Sequence, residues 1–254
     1  MSDFFAATGL TMKFGGLIAV NDFNISLSEG EIVGLIGPNG AGKTTVFNML
    51  AGYYVPSEGS IRFRSKILNG RKANEITKLG IARTFQNIRL FSDLSVVENV
   101  TIAYHCRIRS TFLGAVFRLP LYRREEKEMY EGAMNLLNEV GLSHVTGERS
   151  NSLPYGMQRR LEIARALATG PRILLLDEPA AGMNPRETME LIDLIRRLRD
   201  AHHLTVFLIE HDMKFVMKIC ERIKVLDYGT TIAEGTPKEI QNDPRVIEAY
   251  LGEA

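Results

Sequence analysis

The sequence GPNGAGKTT, from Gly37 to Thr45, decides the fold class that we expect for this chain. It satisfies the pattern GxxxxGK[ST], follows the short apolar run EIVGLIG and precedes a predicted helix. In that context glycines let backbone N–H groups point at phosphate oxygens, and the helix directs its positive end at the same place. The pattern predicts a phosphate-binding loop. The alternative, a glycine-rich turn without a ligand, does not explain the flanking strand and helix.

Each residue of this loop is a candidate contact for the phosphates of ATP. The candidates are Gly37, Pro38, Asn39, Gly40, Ala41, Gly42, Lys43, Thr44 and Thr45. The ammonium group of Lys43 is expected to reach the β- and γ-phosphates, and the hydroxyl of Thr44 is expected to ligate Mg²⁺. ATP and Mg²⁺ are therefore the predicted cofactors.

A second apolar run, RILLLDEP from Arg172, ends in two acids. Acids at the end of a strand are commonly solvated turn residues, but a phosphate loop in the same chain gives them a chemical use. We expect Asp177 to approach the metal directly or through water, and Glu178 to act as the general base on the attacking water.

The rest of the sequence predicts an α/β core with a mostly parallel sheet. The pattern RETMELIDLIRRLRD indicates an amphipathic helix, and it is followed by the strand LTVFLIE and a helix in DMKFVMKICERI. The last segment, GTPKEIQNDPRVIEAYLGEA, is predicted to form one surface helix on the core.

The middle of the chain predicts a helical lobe inserted into this core. Within YRREEKEMYEGAMNLLNEVGL, apolar residues recur at helical spacing. They are Met129, Ala133, Leu136, Leu137 and Val140.

Composition limits the partners that this chain can have. Its 31 basic and 30 acidic residues give a formal net charge of +1, which offers no case for nucleic-acid binding. Cys106 and Cys220 form no disulfide framework, so a reducing cytoplasm is expected. No signal peptide is expected, and no apolar run approaches the roughly 20 residues that span a bilayer. If the protein works at a membrane, another chain is expected to span it.

The order of the motifs resembles that of ABC-type ATPases over nearly the full chain. The phosphate loop is followed by RTFQN, LPYGMQRRLEIARAL, LLLDEP and LIEHD. The resemblance implies a P-loop NTPase core, an antiparallel β subdomain and an inserted α-helical lobe. It places a single nucleotide-binding domain over residues 1–254, with the core at 1–88 and 168–235, the lobe at 89–167 and a helical tail at 236–254.

The resemblance also assigns roles to residues outside the two apolar runs. Gln86 matches the Q-loop glutamine, whose amide touches Mg²⁺ or the attacking water. His211 matches the switch histidine that hydrogen-bonds the γ-phosphate. Phe14 in MKFGG stands where the family stacks an aromatic ring on adenine, although a phenylalanine near a strand end is otherwise a core residue.

The stretch Leu153, Pro154, Tyr155, Gly156, Met157 resembles the family signature LSGGQ, with Pro, Tyr and Met replacing Ser, Gly and Gln. The resemblance implies a head-to-tail dimer in which the signature helix of one subunit faces ATP on the phosphate loop of the other. A helix that begins near Tyr155 offers free N–H groups to a γ-phosphate. In AAGMNP, Ala181 and Asn184 replace the serine and aspartate of the family's D-loop.

Finer details resemble the LivG-like ATPases of branched-chain amino acid import. They are RTFQNIRLFSDLSVVENV, DEPAAGMNP, LIEHDMKFVM, the ending YLGEA and the long insert between Val97 and Arg123. The implied partners are transmembrane permease subunits, a second ATPase subunit and, indirectly, a periplasmic or extracellular solute-binding protein, with the chain on the inner face of the membrane. ATPases of urea import or lipopolysaccharide export remain alternatives, as do ABC ATPases of DNA repair or the ribosome.

Overall fold

The computed structural model describes residues 4–107 and 120–251. The first three residues, part of the insert between Val97 and Arg123, and the last three residues of YLGEA lie outside the described residues. The chain forms two compact units, of which the first comprises Met1–Gln86 with Arg172–Ala254 and the second comprises Asn87–Pro171.

The strands in the described part of the chain all belong to the first unit. They are β1 (Phe5–Phe14), β2 (Leu17–Leu27), β3 (Ile32–Ile36), β4 (Glu58–Phe63), β5 (Lys66–Ile67), β6 (Ile81–Arg83), β7 (Ile173–Asp177), β8 (Thr205–Ile209), β9 (Arg222–Asp227) and β10 (Thr230–Gly235).

The helices follow the same chain order. They are α1 (Lys43–Leu50), α2 (Ala73–Leu79), α3 (Val96–Tyr104), α4 (Pro120–Glu139), α5 (Tyr155–Ala168), α6 (Pro185–His202), α7 (Met213–Ile219), α8 (Pro237–Gln241) and α9 (Pro244–Leu251). None of the helices in residues 4–107 and 120–251 has the length and apolar character that crossing a bilayer requires.

The larger sheet has the strand order β10-β9-β3-β8-β7-β6. Of the described pairs in this sheet, only β10 and β9 are antiparallel, and the others are parallel. Every residue of β3, β7 and β8 is buried, as their mostly apolar sequences predict for strands covered on both faces. Parallel strands bring their carboxyl ends to one edge of the sheet. The loops after Ile36, Asp177 and Ile209 therefore lie at that edge.

The second sheet of this unit is antiparallel and has the order β2-β1-β4-β5. Buried side chains of this sheet, such as Leu10 and Phe23, belong to the same apolar cluster as buried side chains of β3 and α1, such as Phe47. The predicted class, a P-loop core with an antiparallel β subdomain, is confirmed.

Two predicted helix boundaries in the first unit are wrong. The predicted C-terminal helix is two helices, because Pro244 starts a new helix after Asp243 instead of continuing α8. The helix predicted to extend through Ile223 ends at Ile219, and Arg222 already belongs to β9.

The second unit contains α3, α4 and α5, as the predicted helical lobe requires. The predicted apolar positions of α4 and of the turn that follows it are buried. Their exposed fractions are 7% for Met129, 0% for Ala133, 5% for Leu136, 0% for Leu137 and 1% for Val140.

Candidate nucleotide site

The phosphate loop leads from the end of β3 into α1, which begins at Lys43. A Cβ atom at Gly37 would lie 1.9 Å from the carbonyl oxygen of Leu226, and one at Gly42 would lie 2.5 Å from that of Ala19. Both glycines also have positive φ angles, of 149° and 99°. Only glycine fits these two positions, so the local sequence sets the shape of the loop.

A cavity of about 540 Å³ opens over this loop. Its lining residues are Leu17, Ile18, Ala19, Asn39, Gly40, Ala41, Gly42, Lys43, Thr44, Thr45, Gln86, Glu178, Tyr228 and Gly229. Gly37 and Pro38 are not among them, and their carbonyl oxygens instead accept hydrogen bonds from Lys43 Nζ at 2.6 and 2.7 Å. The cavity thus joins most of the predicted phosphate contacts to Gln86 and Glu178.

Gln86 and His211, which follow two other strands of the larger sheet, lie close to the carboxylate of Glu178. Gln86 Nε2 donates a hydrogen bond to Glu178 Oε2 at 2.8 Å, and His211 Nδ1 lies 3.7 Å from the same oxygen. The backbone N–H of Glu178 donates to the carbonyl of Ile209 at 2.9 Å, and its φ angle is 45°. A non-glycine residue is uncommon in this left-handed region, and Glu178 shares it with Asp22, Arg64, His203 and Tyr228.

Asp177 is 3% exposed and is not among the lining residues of the cavity. Its carboxylate is bound by Arg83, with 2.7 Å between Arg83 Nη2 and Asp177 Oδ2. Arg83 Nη1 also donates to Asn48 Oδ1 on α1 at 2.6 Å. The role predicted for Asp177 at Mg²⁺ stays a prediction, since the structure gives its carboxylate a protein cation as partner.

Arg83 was not identified from the sequence as a site residue, yet it links the helix after the phosphate loop to the acid-bearing strand. Its guanidinium lies 5.3 to 5.7 Å from the ring centroids of Phe47, Tyr53 and Phe85. The side chains of the Arg83–Asp177 pair are 7% and 5% exposed. A buried charge whose partner is removed is costly, whereas an exposed pair contributes little.

We expect Arg83→Met to lower the free energy of unfolding by about 3 to 5 kcal/mol, because Asp177 would keep a buried charge without a cation. Denaturant unfolding measures this change. The matched control is Arg186→Met, which breaks the exposed pair with Glu190 and should change stability by less than about 0.5 kcal/mol. The double variant Arg83→Met/Asp177→Asn should recover part of the loss. If Arg83→Met lowered the free energy of unfolding as little as Arg186→Met does, this account of the Arg83–Asp177 pair would be contradicted.

Glu210 is a second residue that the sequence interpretation missed, although it precedes His211. It is fully buried, and its Oε1 accepts a hydrogen bond from the backbone N–H of Ala180 at 2.7 Å. Burial raises the pKa of Glu210 above its ordinary value, against the lowering effect of its backbone hydrogen bonds and of His211. Glu210 therefore ties the loop after Glu178 to the loop that carries His211.

Phe14 is 42% exposed, so it is not a core residue, and it is not among the residues that line the cavity. Its ring makes an edge contact with Tyr54, at 5.4 Å between centroids. Leu17 and Ile18, which follow it at the start of β2, do line the cavity. Stacking of adenine on Phe14 stays a prediction.

The signature stretch lies at the start of α5, in the second unit. Leu153 is buried, Pro154 occupies the position before the first helical residue, and Tyr155 begins the helix, as predicted. Pro154 makes no side-chain cap, and its carbonyl accepts hydrogen bonds from the N–H groups of Met157 and Gln158.

Tyr155 and Gly156 therefore open the first turn of α5. Tyr155 is 43% exposed, and its hydroxyl lies 3.3 Å from Nη2 of Arg159, which forms a buried ion pair with Glu162 at 2.6 Å.

In the first unit, Asn184 caps α6 by accepting hydrogen bonds from the N–H groups of Arg186 and Glu187, both at 3.0 Å. Asn184 thus has a structural use where the resembling family has aspartate.

Comparison with known families identifies the chain. A family model described as ABC transporter matches residues 20–181, which include the phosphate loop, the signature stretch and both acids. The chain belongs to the ABC transporter ATP-binding family. A second model, described as branched-chain amino acid ATP-binding cassette transporter, matches residues 230–254. As an ABC ATPase, the protein binds ATP and couples its hydrolysis to transport.

Individual relatives of this ABC ATPase extend the match to nearly the full chain. The high-affinity branched-chain amino acid transport ATP-binding protein BraF of Pseudomonas aeruginosa is 51% identical over 97% of each chain. LivG of Escherichia coli, a protein of the same description, is 50% identical over 98% of each chain. The ADP conformation of MJ1267, an ATP-binding cassette of an ABC transporter, has a TM-score of 0.86 and 31% identity, covering 99% of this chain and 100% of that chain.

Proposed function

We propose that this ABC ATPase powers the import of branched-chain amino acids. The observation that carries the proposal is the match of residues 230–254 to the model of branched-chain amino acid cassettes, because this segment lies outside the part matched by the general ABC model. Relatives at 50 and 51% identity over nearly the full chain have the same cargo in their names, which also supports the proposal. The proposed partners are permease subunits, a second ATPase subunit and, indirectly, a solute-binding protein.

Reconstitution tests the cargo. The chain is combined in vesicles with permease subunits and binding proteins of either amino acid or urea importers, and ATP hydrolysis is measured with each solute. We expect leucine, isoleucine or valine to stimulate hydrolysis in the amino acid system, and urea to have no effect in either. A Glu178→Gln version of the same complex serves as the inactive control. Stimulation by urea alone would contradict the proposed cargo.

The arrangement around Glu178 supports a mechanism of in-line attack by water on the γ-phosphate. Lys43 would leave the carbonyls of Gly37 and Pro38 in part and donate to the β- and γ-phosphates. Glu178 would accept the proton of the attacking water, and Gln86 would hold the carboxylate through its 2.8 Å hydrogen bond. His211, 59% exposed and close to the same carboxylate, would donate to the γ-phosphate.

The donor set of the cavity fits Mg²⁺. Thr44, Gln86 and Glu178 line the cavity, and hydroxyl, amide and carboxylate oxygens are ligands that this ion accepts. In the part of the chain that the structure describes, no group of three or more His, Cys, Asp and Glu side chains is arranged so that it could hold a metal ion by itself. When bound, Mg²⁺ neutralises charge on the phosphates. Thr44 and Gln86 would hold it, with Asp177 acting through water.

We also propose that ATP closes a dimer in which the first turn of α5 faces the γ-phosphate on the partner's phosphate loop. The N–H groups of the first turn of a helix lack intrahelical partners, and the helix dipole adds positive charge there. Pro154 offers no hydroxyl to this phosphate and no side-chain cap to α5. One donor is therefore missing at the proposed interface.

We expect Pro154→Ser to raise basal ATP hydrolysis and to tighten the ATP-bound dimer. The activation free energy of hydrolysis and the free energy of dimer association should each become more favourable by no more than about 3 kcal/mol. The thermal midpoint should stay equal or rise, because serine is a preferred residue before the first helical position. Steady-state hydrolysis by the protein with Glu178 intact measures the first effect, and sedimentation in the Glu178→Gln background measures the second. Pro154→Ala is the matched control, since it removes the ring without adding a hydroxyl. Identical results for Ser and Ala would show that position 154 does not face the γ-phosphate.

A further inference from the structure

The turn between β9 and β10 contains a residue that the fold does not favour there. Asp227 pairs with Thr230, so Tyr228 and Gly229 form a two-residue hairpin turn. Their φ angles are 43° and 78°. Two successive positive φ angles define the turn type that strongly prefers Asn-Gly or Asp-Gly, because asparagine and aspartate tolerate the left-handed region. The backbone conformation of this turn therefore does not favour a tyrosine.

The side chain of Tyr228 also gains nothing from packing. It is 90% exposed, the largest value among the exposed large hydrophobic side chains that the structure describes. Other exposed tyrosines of the described residues, such as Tyr53, Tyr54 and Tyr130, are 37 to 53% exposed. Neither backbone geometry nor burial thus accounts for an aromatic ring at this position.

The turn itself is held firmly against the phosphate loop. The N–H of Gly229 donates to the carbonyl of Ala41 at 3.0 Å, and the carbonyl of Gly229 accepts from the N–H of Asn21 at 2.8 Å. A Cβ atom on Gly229 would lie 2.8 Å from the carbonyl oxygen of Ala19, so the backbone of the turn packs closely against β2. The backbone of Tyr228 is consequently fixed beside the loop, while its ring is left in solvent.

Tyr228 borders two cavities from this position. One is the phosphate-loop cavity of about 540 Å³, and the other, of about 360 Å³, lies between Pro38 and α9, where Arg245 and Glu248 line it. Tyr228 therefore lies between the phosphate-loop cavity and the C-terminal helix α9. A flat amphipathic side chain with two rotatable bonds loses little conformational entropy when it closes on a ligand.

We propose that Tyr228 is a nucleotide-contacting residue, whose ring packs on bound ATP or ADP and whose hydroxyl donates a hydrogen bond to it. The contact rests on the nucleotide site described above and adds a side chain from the β9–β10 turn to it. It explains why a turn suited to asparagine carries a tyrosine. It also predicts opposite effects of one substitution on stability and on binding.

The test compares Tyr228→Asn, Tyr228→Phe and the control Tyr130→Asn, which changes an exposed tyrosine of α4. MgADP is titrated calorimetrically at protein concentrations where sedimentation shows monomer, and the thermal midpoint is measured without nucleotide. Tyr228→Asn should keep or raise the midpoint, because it suits the turn, and should raise the Kd of MgADP roughly three- to tenfold. Tyr228→Phe should give a smaller rise in Kd, and Tyr130→Asn none.

An unchanged Kd of MgADP in Tyr228→Asn overturns the inference. If the Kd is unchanged and only the ATP-bound dimer weakens, measured in the Glu178→Gln background, Tyr228 contacts the partner subunit instead of nucleotide, and the inference is again overturned. Failure of the nucleotide site itself is a distinct result, in which the unsubstituted chain and Lys43→Ala bind MgADP equally weakly.

Discussion

Glu178→Gln is expected to reduce ATP turnover by about 10²- to 10⁴-fold while leaving ATP binding intact. The amide keeps the shape of the side chain and still accepts the hydrogen bond from Gln86 Nε2, which spans 2.8 Å in the structure. It cannot accept a proton from the attacking water. The left-handed φ of 45° is a backbone property of this position and should persist, so the site should keep its geometry.

ATP should then trap a dimer of the Glu178→Gln variant, because closure precedes the blocked step. Gel filtration with and without MgATP measures the dimer, and calorimetry measures ATP binding. Glu190→Gln on α6 is the control, since Glu190 pairs with exposed Arg186 and lies outside the cavity. Hydrolysis at the parental rate in Glu178→Gln would assign the general base to another residue.

Strands β3, β7 and β8 could be predicted from the sequence because strands buried on both faces have mostly apolar sequences. The end of α7 could not. Phe215, Ile219 and Ile223 continue at helical spacing, but the chain is extended at Cys220, and the N–H of Glu221 donates to the carbonyl of Ile32 at 2.9 Å. Pairing of β9 with β3 is a long-range interaction that local periodicity does not contain.

The difference between local sequence patterns and long-range contacts also separates the predicted residues of the site from the missed ones. The phosphate loop is local, since its glycines and lysine lie within nine consecutive residues. Arg83 acquires its importance from Asn48 and Asp177, which are 35 and 94 positions away. Tyr228 reaches the cavity only because its turn is hydrogen-bonded to Ala41. An isolated arginine or a turn tyrosine gives no signal of such contacts in one sequence.

Lys43→Ala is expected to weaken ATP binding by about 10²-fold or more. Hydrogen bonds from a charged donor contribute about 1.5 to 3 kcal/mol each, and the ammonium is placed to make at least two of them to phosphates. The structure adds a second consequence. Lys43 Nζ donates to the carbonyls of Gly37 and Pro38 at 2.6 and 2.7 Å, so its loss also removes two contacts that hold the phosphate loop.

The loss of loop contacts and the loss of phosphate contacts can be separated. Thermal unfolding without nucleotide measures the first, and it should show a modest decrease, because the glycine geometry of Gly37 and Gly42 remains. Calorimetry with MgATP measures the second, and it should show the much larger effect. Lys66→Ala, which removes an exposed lysine of β5, should change neither. Undiminished affinity for MgATP in folded Lys43→Ala would remove Lys43 from the phosphate contacts and contradict the assignment of the loop.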